Sequence, residues 1–268
     1  MTWRAISARP YCTELPRAGL MGGLPVKLKD FVGTVERLAW AKTNGCPWEK
    51  RTCGLAAGGG HLDVLQWARG HGCPWDSRTC ARAAAGGYLE VLKWSLVHGC
   101  VWDDHTCLFA AQRGHLEVLR WAREHDCPWL ASQMCTAAAW GGHLEVLQWA
   151  REQGCPWDWR TCASAAEGGH LEVLQWAHEH GCEWDEYTCS NAAMNGHLEV
   201  LKFAHEHGCG WDERTIDSAR DSGCADTIEY VRANGCPTGY IQESEDESED
   251  ESKDEIQDET DDEGDDNA

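Results

Sequence analysis

Apolar and polar residues recur with a helical period along most of this chain. The segment 61–69, HLDVLQWAR, contains five apolar residues, which at about 100° per residue spread over an arc of about 220°. A helix with so wide an apolar arc cannot bury it against a single neighbour. We therefore predict a helix that is covered on two sides, as in a stack of repeated units.

The same pattern returns at a fixed spacing. The glycine that precedes each copy recurs in steps of 27 residues, with one step of 28. A period of this size is typical of solenoid proteins. We predict an array over residues 33–240, after an irregular lead-in or cap over residues 1–32 and before a tail over residues 241–268. The predicted units start at Gly33, Gly60, Gly87, Gly114, Gly142, Gly169, Gly196 and Gly223.

Each unit contains a second helical segment. Gly72 and Pro74 end the first helix, and Asp76 precedes SRTCARAAA, where its carboxylate can cap the free amides of a second, shorter helix. Equivalent aspartates stand at Asp103, Asp158, Asp185 and Asp212. The fold class is therefore an all-α solenoid of about eight helix-turn-helix units.

Three places depart from the repeat. Arg37 stands in the first unit where later units have valine, and the last unit, from Gly223, stops near Gly239, as expected for terminal caps. The step of 28 arises because one extra residue lies between Cys127 and Cys135. The capping aspartate and the following threonine are both missing there, so we expect a distorted helix start over residues 130–134.

The order T-C-x-x-A-A-x-G-G-H-L-E-V-L-Q-W, from Thr161 to Trp176, resembles the ankyrin repeat, T-P-L-H-x-A-A-x-x-G-H-x-E-V-V-x-L-L. The resemblance extends over about residues 33–239. Each unit is about six residues shorter than the usual 33, and the missing stretch is where the family has its β-hairpin finger. The resemblance implies a finger-less array whose second-helix side is the concave surface that contacts partners, and whose turn histidines bond local backbone.

Charge is divided unevenly along the chain. The formal net charge is −22, and residues 243–268 contribute −15 of it, from 16 acids and one lysine. An acidic array lacks the clustered basic residues that nucleic acids require, so we expect no nucleic-acid partner. No apolar run is long enough for a membrane span, and no secretory signal is recognisable. We expect a monomer in the cytoplasm or nucleus, although residues 1–32 could also be a targeting segment or be removed.

The tail, residues 241–268, is acidic and low in complexity, so we expect it to be disordered. Four of its hydroxyl residues have an acid three residues later, as acidophilic kinases require: Ser244, Ser248, Ser252 and Thr260. The tail could be solubilising only. It could instead bind basic proteins, which makes a histone-like chaperone the alternative function.

The 16 cysteines follow the repeat: eight occupy one position of the unit and six occupy a second. Structural zinc sites use Cys-x2–4-Cys pairs, and no such pair occurs. We expect buried free thiols and no cofactor, and we keep a Cys/His thiol or metal buffer as a second alternative. Residues repeated in every unit serve the scaffold, so we do not expect an enzyme.

Positions that vary between units are free to carry specificity. We predict that the second-helix side, called here the second-helix face, binds a protein partner, because its variable positions combine arginine with aromatic residues. The alternative is that these arginines pair with acids of adjacent units. The candidate partner-binding residues are Arg51, Arg78, Arg82, His105, Phe109, Trp140, Arg160, Tyr187, Met194 and Arg214.

Overall fold

The computed structural model describes residues 32–45 and 48–238, and within them the chain forms fifteen α-helices and no strand. The predicted lead-in, apart from Val32, and the tail with its four candidate phosphorylation sites lie outside the described residues. The helices are α1 (Val35–Thr43), α2 (Lys50–Gly58), α3 (Leu62–Gly70), α4 (Ser77–Ala85), α5 (Leu89–Val97), α6 (Asp104–Gln112), α7 (Leu116–Glu124), α8 (Ala131–Gly141), α9 (Leu144–Glu152), α10 (Trp159–Gly168), α11 (Leu171–Glu179), α12 (Glu186–Met194), α13 (Leu198–Glu206), α14 (Glu213–Ser222) and α15 (Ala225–Ala233).

The helices form two rows that alternate along the chain, as an all-α solenoid requires. The odd-numbered helices are the first helices of the units and the even-numbered ones are the second helices. The second helices are not shorter than the first: α3 and α4 both have 9 residues. Within the described residues, the eighth unit contributes only its first helix, α15.

The core lies between the two rows and continues from unit to unit. On α3, Val64, Leu65 and Ala68 are fully buried. The alanine pair of the second helices from α2 to α12, such as Ala83 and Ala84, is fully buried as well, which lets neighbouring second helices approach closely. Second helices of adjacent units contact each other along their length, whereas adjacent first helices contact each other much less.

Aspartate caps most second helices as the sequence predicts. Asp76, Asp158, Asp185 and Asp212 each accept a hydrogen bond from the backbone amide two residues later, at 3.0–3.1 Å. Asp103 makes no such bond. Its carboxylate lies near the ring of His105 instead, with 3.8 Å between Oδ1 and Nδ1.

The extra residue of the fourth unit lengthens α8 without displacing its start. The helix begins four residues after Cys127, just as α4 begins four residues after Cys73, and it has 11 residues rather than 9. Leu130 provides no side-chain cap. Met134 replaces the usual threonine and is fully buried. The irregularity is therefore an uncapped, longer helix, because a helix can take up one residue in its exposed first turn.

The turn histidines join consecutive units. The ring atom Nε2 of His115, His170 and His197 lies 3.0–3.1 Å from the backbone carbonyl oxygen of the residue 30 positions earlier. That residue lies near the end of a second helix, next to the preceding turn between units. The resemblance implied that these histidines bond local backbone. Their bonds instead link one turn between units to the next such turn. The His197 ring also covers Gly169, where φ is 76° and an added Cβ would lie 2.7 Å from the ring. A larger residue there would be strained both by its backbone conformation and by this contact.

Tryptophans join the units along the opposite edge. The tryptophan that follows each first helix packs edge-on against the aromatic residue of the next first helix, with 5.9 Å between the ring centroids of Trp75 and Trp94. Arg69 covers Trp75 at 4.1 Å. The same edge-on pair occurs in each later unit of the described array: Trp102–Trp121, Trp129–Trp149, Trp157–Trp176, Trp184–Phe203 and Trp211–Tyr230.

We expect Asp185→Ala to lower the free energy of unfolding by about 1 kcal/mol, the usual contribution of an N-cap side chain. Asp103→Ala is the matched control, and we expect a smaller loss because Asp103 makes no capping bond. Urea unfolding followed by circular dichroism measures both. Equal losses in the two variants would mean that capping is not what the repeated aspartate contributes.

Candidate functional site

The second-helix face carries the candidate residues near the starts and ends of the second helices. Near the starts, the side chains of Arg78, Arg160 and Arg214 are 82%, 63% and 42% exposed. Near the ends, Trp140 and Met194 are 41% and 50% exposed. Arg51 and His105 are exposed as well, whereas Phe109 and Arg82 are half-buried. The candidate residues are therefore spread over the row of second helices and do not converge on one cleft.

Three of the four arginines at the helix starts form ion pairs within the array. Arg160 pairs with its own capping residue, Asp158, at 2.8 Å, and Arg78 lies 3.8 Å from Asp76. Arg214 pairs with Asp212 at 2.7 Å and with Glu186 of the neighbouring unit at 2.9 Å. The cap aspartates therefore hold these guanidinium groups at the face, in exposed pairs that each contribute about 0 to 1 kcal/mol.

Arg214, Tyr187 and Trp159 form a stack across three units. The guanidinium of Arg214 lies 4.4 Å from the Tyr187 ring centroid, and Tyr187 stacks on Trp159 at 5.3 Å. The sequence analysis missed Trp159. A signal was present, because Trp159 is an aromatic residue at a helix-start position that is polar in α2, α4, α6, α12 and α14.

His105 is the centre of a small polar cluster on α6. Its Nδ1 lies 3.0 Å from a carboxylate oxygen of Asp104, and its ring lies 5.7 Å from that of Phe109. Asp103, Asp104 and His105 are the one group of three potential metal ligands within residues 32–45 and 48–238. The group includes no cysteine and is open to solvent.

The cysteines serve as contacts between units. One set of cysteines lies in the loops after the first helices. The thiols of Cys100, Cys182 and Cys209 donate to the backbone carbonyl of the aspartate 24 residues earlier, at 3.1–3.3 Å. In the helix position, Cys162 and Cys189 contact the carbonyl of the next loop cysteine at 3.9–4.0 Å. All fourteen cysteines of the described residues are free, and all but Cys224 are buried. The repeated thiols are therefore part of the packing.

Residues 162–205 match a family model described as ankyrin repeats in many copies. The match runs from Cys162 in α10 through α11 and α12 into α13. This segment of the chain therefore carries ankyrin repeats. No curated protein matches the chain in sequence.

Ankyrin repeats are in general modules for protein–protein interaction, and the all-helical ankyrin fold is typically non-enzymatic. In this array the first and second helices of a unit are joined by loops of six residues, such as residues 71–76 between α3 and α4. Within residues 48–238 these loops contain no β-hairpin finger. No helix within the described ranges is both long and apolar enough to span a membrane.

We expect Cys224 to react with iodoacetamide faster than the other described cysteines. The hydroxyl and the amide of the nearby Thr227 lower the pKa of Cys224, and its side chain is partly accessible. Burial raises the pKa of Cys135 to about 12, so that its thiol stays protonated and covered.

The rate at Cys224 should rise with pH and reach half of its maximum at a lower pH than that of an ordinary cysteine, because the thiolate is the reacting form. Peptide mass spectrometry after brief labelling of the folded protein measures each site. Labelling of Cys135 or Cys162 at the rate of Cys224 would show that the units open readily and that these thiols are not permanently covered.

Proposed function

We propose that this array is a non-enzymatic scaffold that binds a protein partner through its second-helix face. The observation that carries the proposal is the exposure of Trp140, Tyr187 and Met194 on that face, at 41%, 42% and 50%. Large aromatic residues and methionine are enriched in protein interfaces and depleted from other surfaces. Trp140 lies on α8, and Tyr187 and Met194 lie on α12, so a partner could contact second helices of more than one unit.

The packing of the two rows supports this face over the opposite one. Second helices of adjacent units contact each other more extensively than first helices do. Closer spacing on one side bends a row of units toward that side, so that the second-helix face becomes concave. A concave surface buries more of a partner than a flat or convex surface does.

The ion pairs of Arg78, Arg160 and Arg214 are compatible with binding. Exposed pairs contribute about 0 to 1 kcal/mol, so an acidic group of the partner could replace an internal carboxylate at little cost. The internal pairs also hold each guanidinium in place before binding. That limits the side-chain entropy lost when the partner arrives.

Capture of partners from an extract of the source cells, followed by quantitative mass spectrometry, tests the face. We expect the Trp140→Ser/Tyr187→Ser/Met194→Ser variant to lose its specific partners by about tenfold or more, since buried aromatic contacts dominate interface energies. A variant with Arg51, Arg78, Arg160 and Arg214 all changed to alanine tests the charged part of the same face.

The control is Val97→Ser/Val101→Ser, which removes two exposed apolar side chains, 83% and 66% accessible, that lie outside the second helices. It should leave the partners unchanged. If the valine variant loses the partners and both face variants keep them, the binding surface lies elsewhere and the proposal is wrong.

A second candidate function rests on the tail. Residues 243–268 carry 16 acids and one lysine, which favours binding of basic proteins such as histones, and phosphorylation at Ser244, Ser248, Ser252 or Thr260 would add charge. Deletion of residues 241–268 separates the two functions. Partners that persist after the deletion support the second-helix face, and partners that disappear support the tail.

A further inference from the structure

Arg82 occupies a groove between α2 and α4 that two glycines make possible. Its stem lies against Gly54 and Gly58, where an added Cβ would come within 3.2 and 3.3 Å of Arg82. Gly54 directly follows the helix cysteine of α2, and the equivalent residue in the next five second helices is alanine, leucine, threonine or serine. The groove therefore depends on a glycine that those helices lack. The groove has a volume of about 450 Å³ and also borders on Arg113 and His61.

The guanidinium of Arg82 has an unused donor. Its Nη1 atom is buried, and it has no hydrogen-bond partner among the residues that the structure describes. Burial lowers the pKa of Arg82, the nearby charges of Arg51 and Arg78 lower it further, and Asp76 opposes them with a smaller effect. A buried donor of a charged group is costly when it has no acceptor. The guanidinium of Arg82 is therefore suited to bind an anion.

Two further arginines, Arg51 and Arg78, lie close enough to act on the charge of Arg82. Arg51 is exposed and has no ion-pair partner within the described part of the chain. Arg78 is only loosely paired, 3.8 Å from Asp76. Arg160 and Arg214 differ, because carboxylates at 2.8 and 2.7 Å already occupy their donors. Uncompensated positive charge on the second-helix face is therefore concentrated at α2 and α4, although the chain as a whole is acidic.

We propose that this groove binds a phosphorylated side chain of a protein partner, with Arg82 as the central donor and with the nearby charges of Arg51 and Arg78 adding to the attraction. A phosphoryl group carries up to two negative charges and three acceptor oxygens, so it can satisfy several guanidinium groups together. A carboxylate has one charge and two oxygens, enough for one bidentate arginine. The inference rests on the proposed protein-binding function and specifies the chemistry of its N-terminal part.

The test uses the full chain and defined probes, so it does not require the partner. Isothermal titration calorimetry at constant ionic strength compares a short glycine-serine peptide that carries one phosphoserine with the unphosphorylated peptide, with the glutamate version and with inorganic phosphate. We expect the phosphopeptide to bind most tightly, and its affinity to fall between pH 7.5 and pH 5.5, because the second ionisation of a phosphoryl group lies near pH 6.

Arg82→Gln should weaken phosphopeptide binding by about tenfold or more, since charge-assisted bidentate bonds are the strongest of their kind. Arg220→Gln is the matched control and should bind as the unchanged chain does, because Arg220 on α14 is already paired with Asp217 at 2.9 Å. Arg51→Gln/Arg78→Gln alters only exposed side chains and should also weaken binding, which keeps the test informative if Arg82→Gln disturbs folding, as checked by circular dichroism.

Equal losses in the Arg82 and Arg220 variants would overturn the assignment, since they would indicate general charge attraction. A phosphopeptide that binds no better than its glutamate version or than inorganic phosphate would overturn it too. Either failure leaves the proposed function intact if the Trp140, Tyr187 and Met194 variant still loses its partners. Conversely, phosphopeptide binding can persist even if those three residues prove unimportant.

Discussion

Coverage of each unit's apolar surface by the next unit is the constraint on which this structure depends. A first helix such as α3 has apolar residues around more than half of its circumference, and no single neighbour could bury them. The second helices meet this need because their alanines are small enough for close approach. Every recurring residue type can be understood from this demand: alanine and cysteine keep the contacts tight, and histidine and tryptophan join the two edges of consecutive units.

Three recurring contacts link the units in addition to the apolar packing of their helices. Histidine rings bond to carbonyl groups at the turns, thiols bond to carbonyl groups in the interior, and loop tryptophans pack edge-on against the next first helix. None of them is strong by itself. Because each contact is repeated along the array, their contributions to stability add up. None of these contacts uses the exposed side chains of the second-helix face. That freedom explains why residues on this face differ between units while the buried positions hardly change.

Much of the fold could be predicted from the sequence, because the repeat supplies several independent copies of each signal. Helix pairs, cap aspartates and buried cysteines follow from period and residue type. The nearly equal lengths of the two helices were missed, although the alanine, glutamine, glutamate and methionine that follow the alanine pair in several units favour a helix. The site was harder to predict. Trp159 was overlooked because a stack across units depends on the distance between helices, and the isolation of Arg82 depends on which carboxylates lie nearby in space. Neither quantity is encoded in the spacing of residues along the chain.

The long-range bonds have a consequence for how such a chain can change in length. The turn histidines bond to carbonyl groups 30 residues earlier, and the loop cysteines bond to carbonyl groups 24 residues earlier. Duplication or loss of one whole unit restores every such partnership at the new junction. A shorter insertion would break them unless it fell in the first turn of a second helix, as in α8. The array is therefore modular: whole units are its natural step of evolutionary growth, and the same step is open to an engineer who wishes to lengthen the second-helix face.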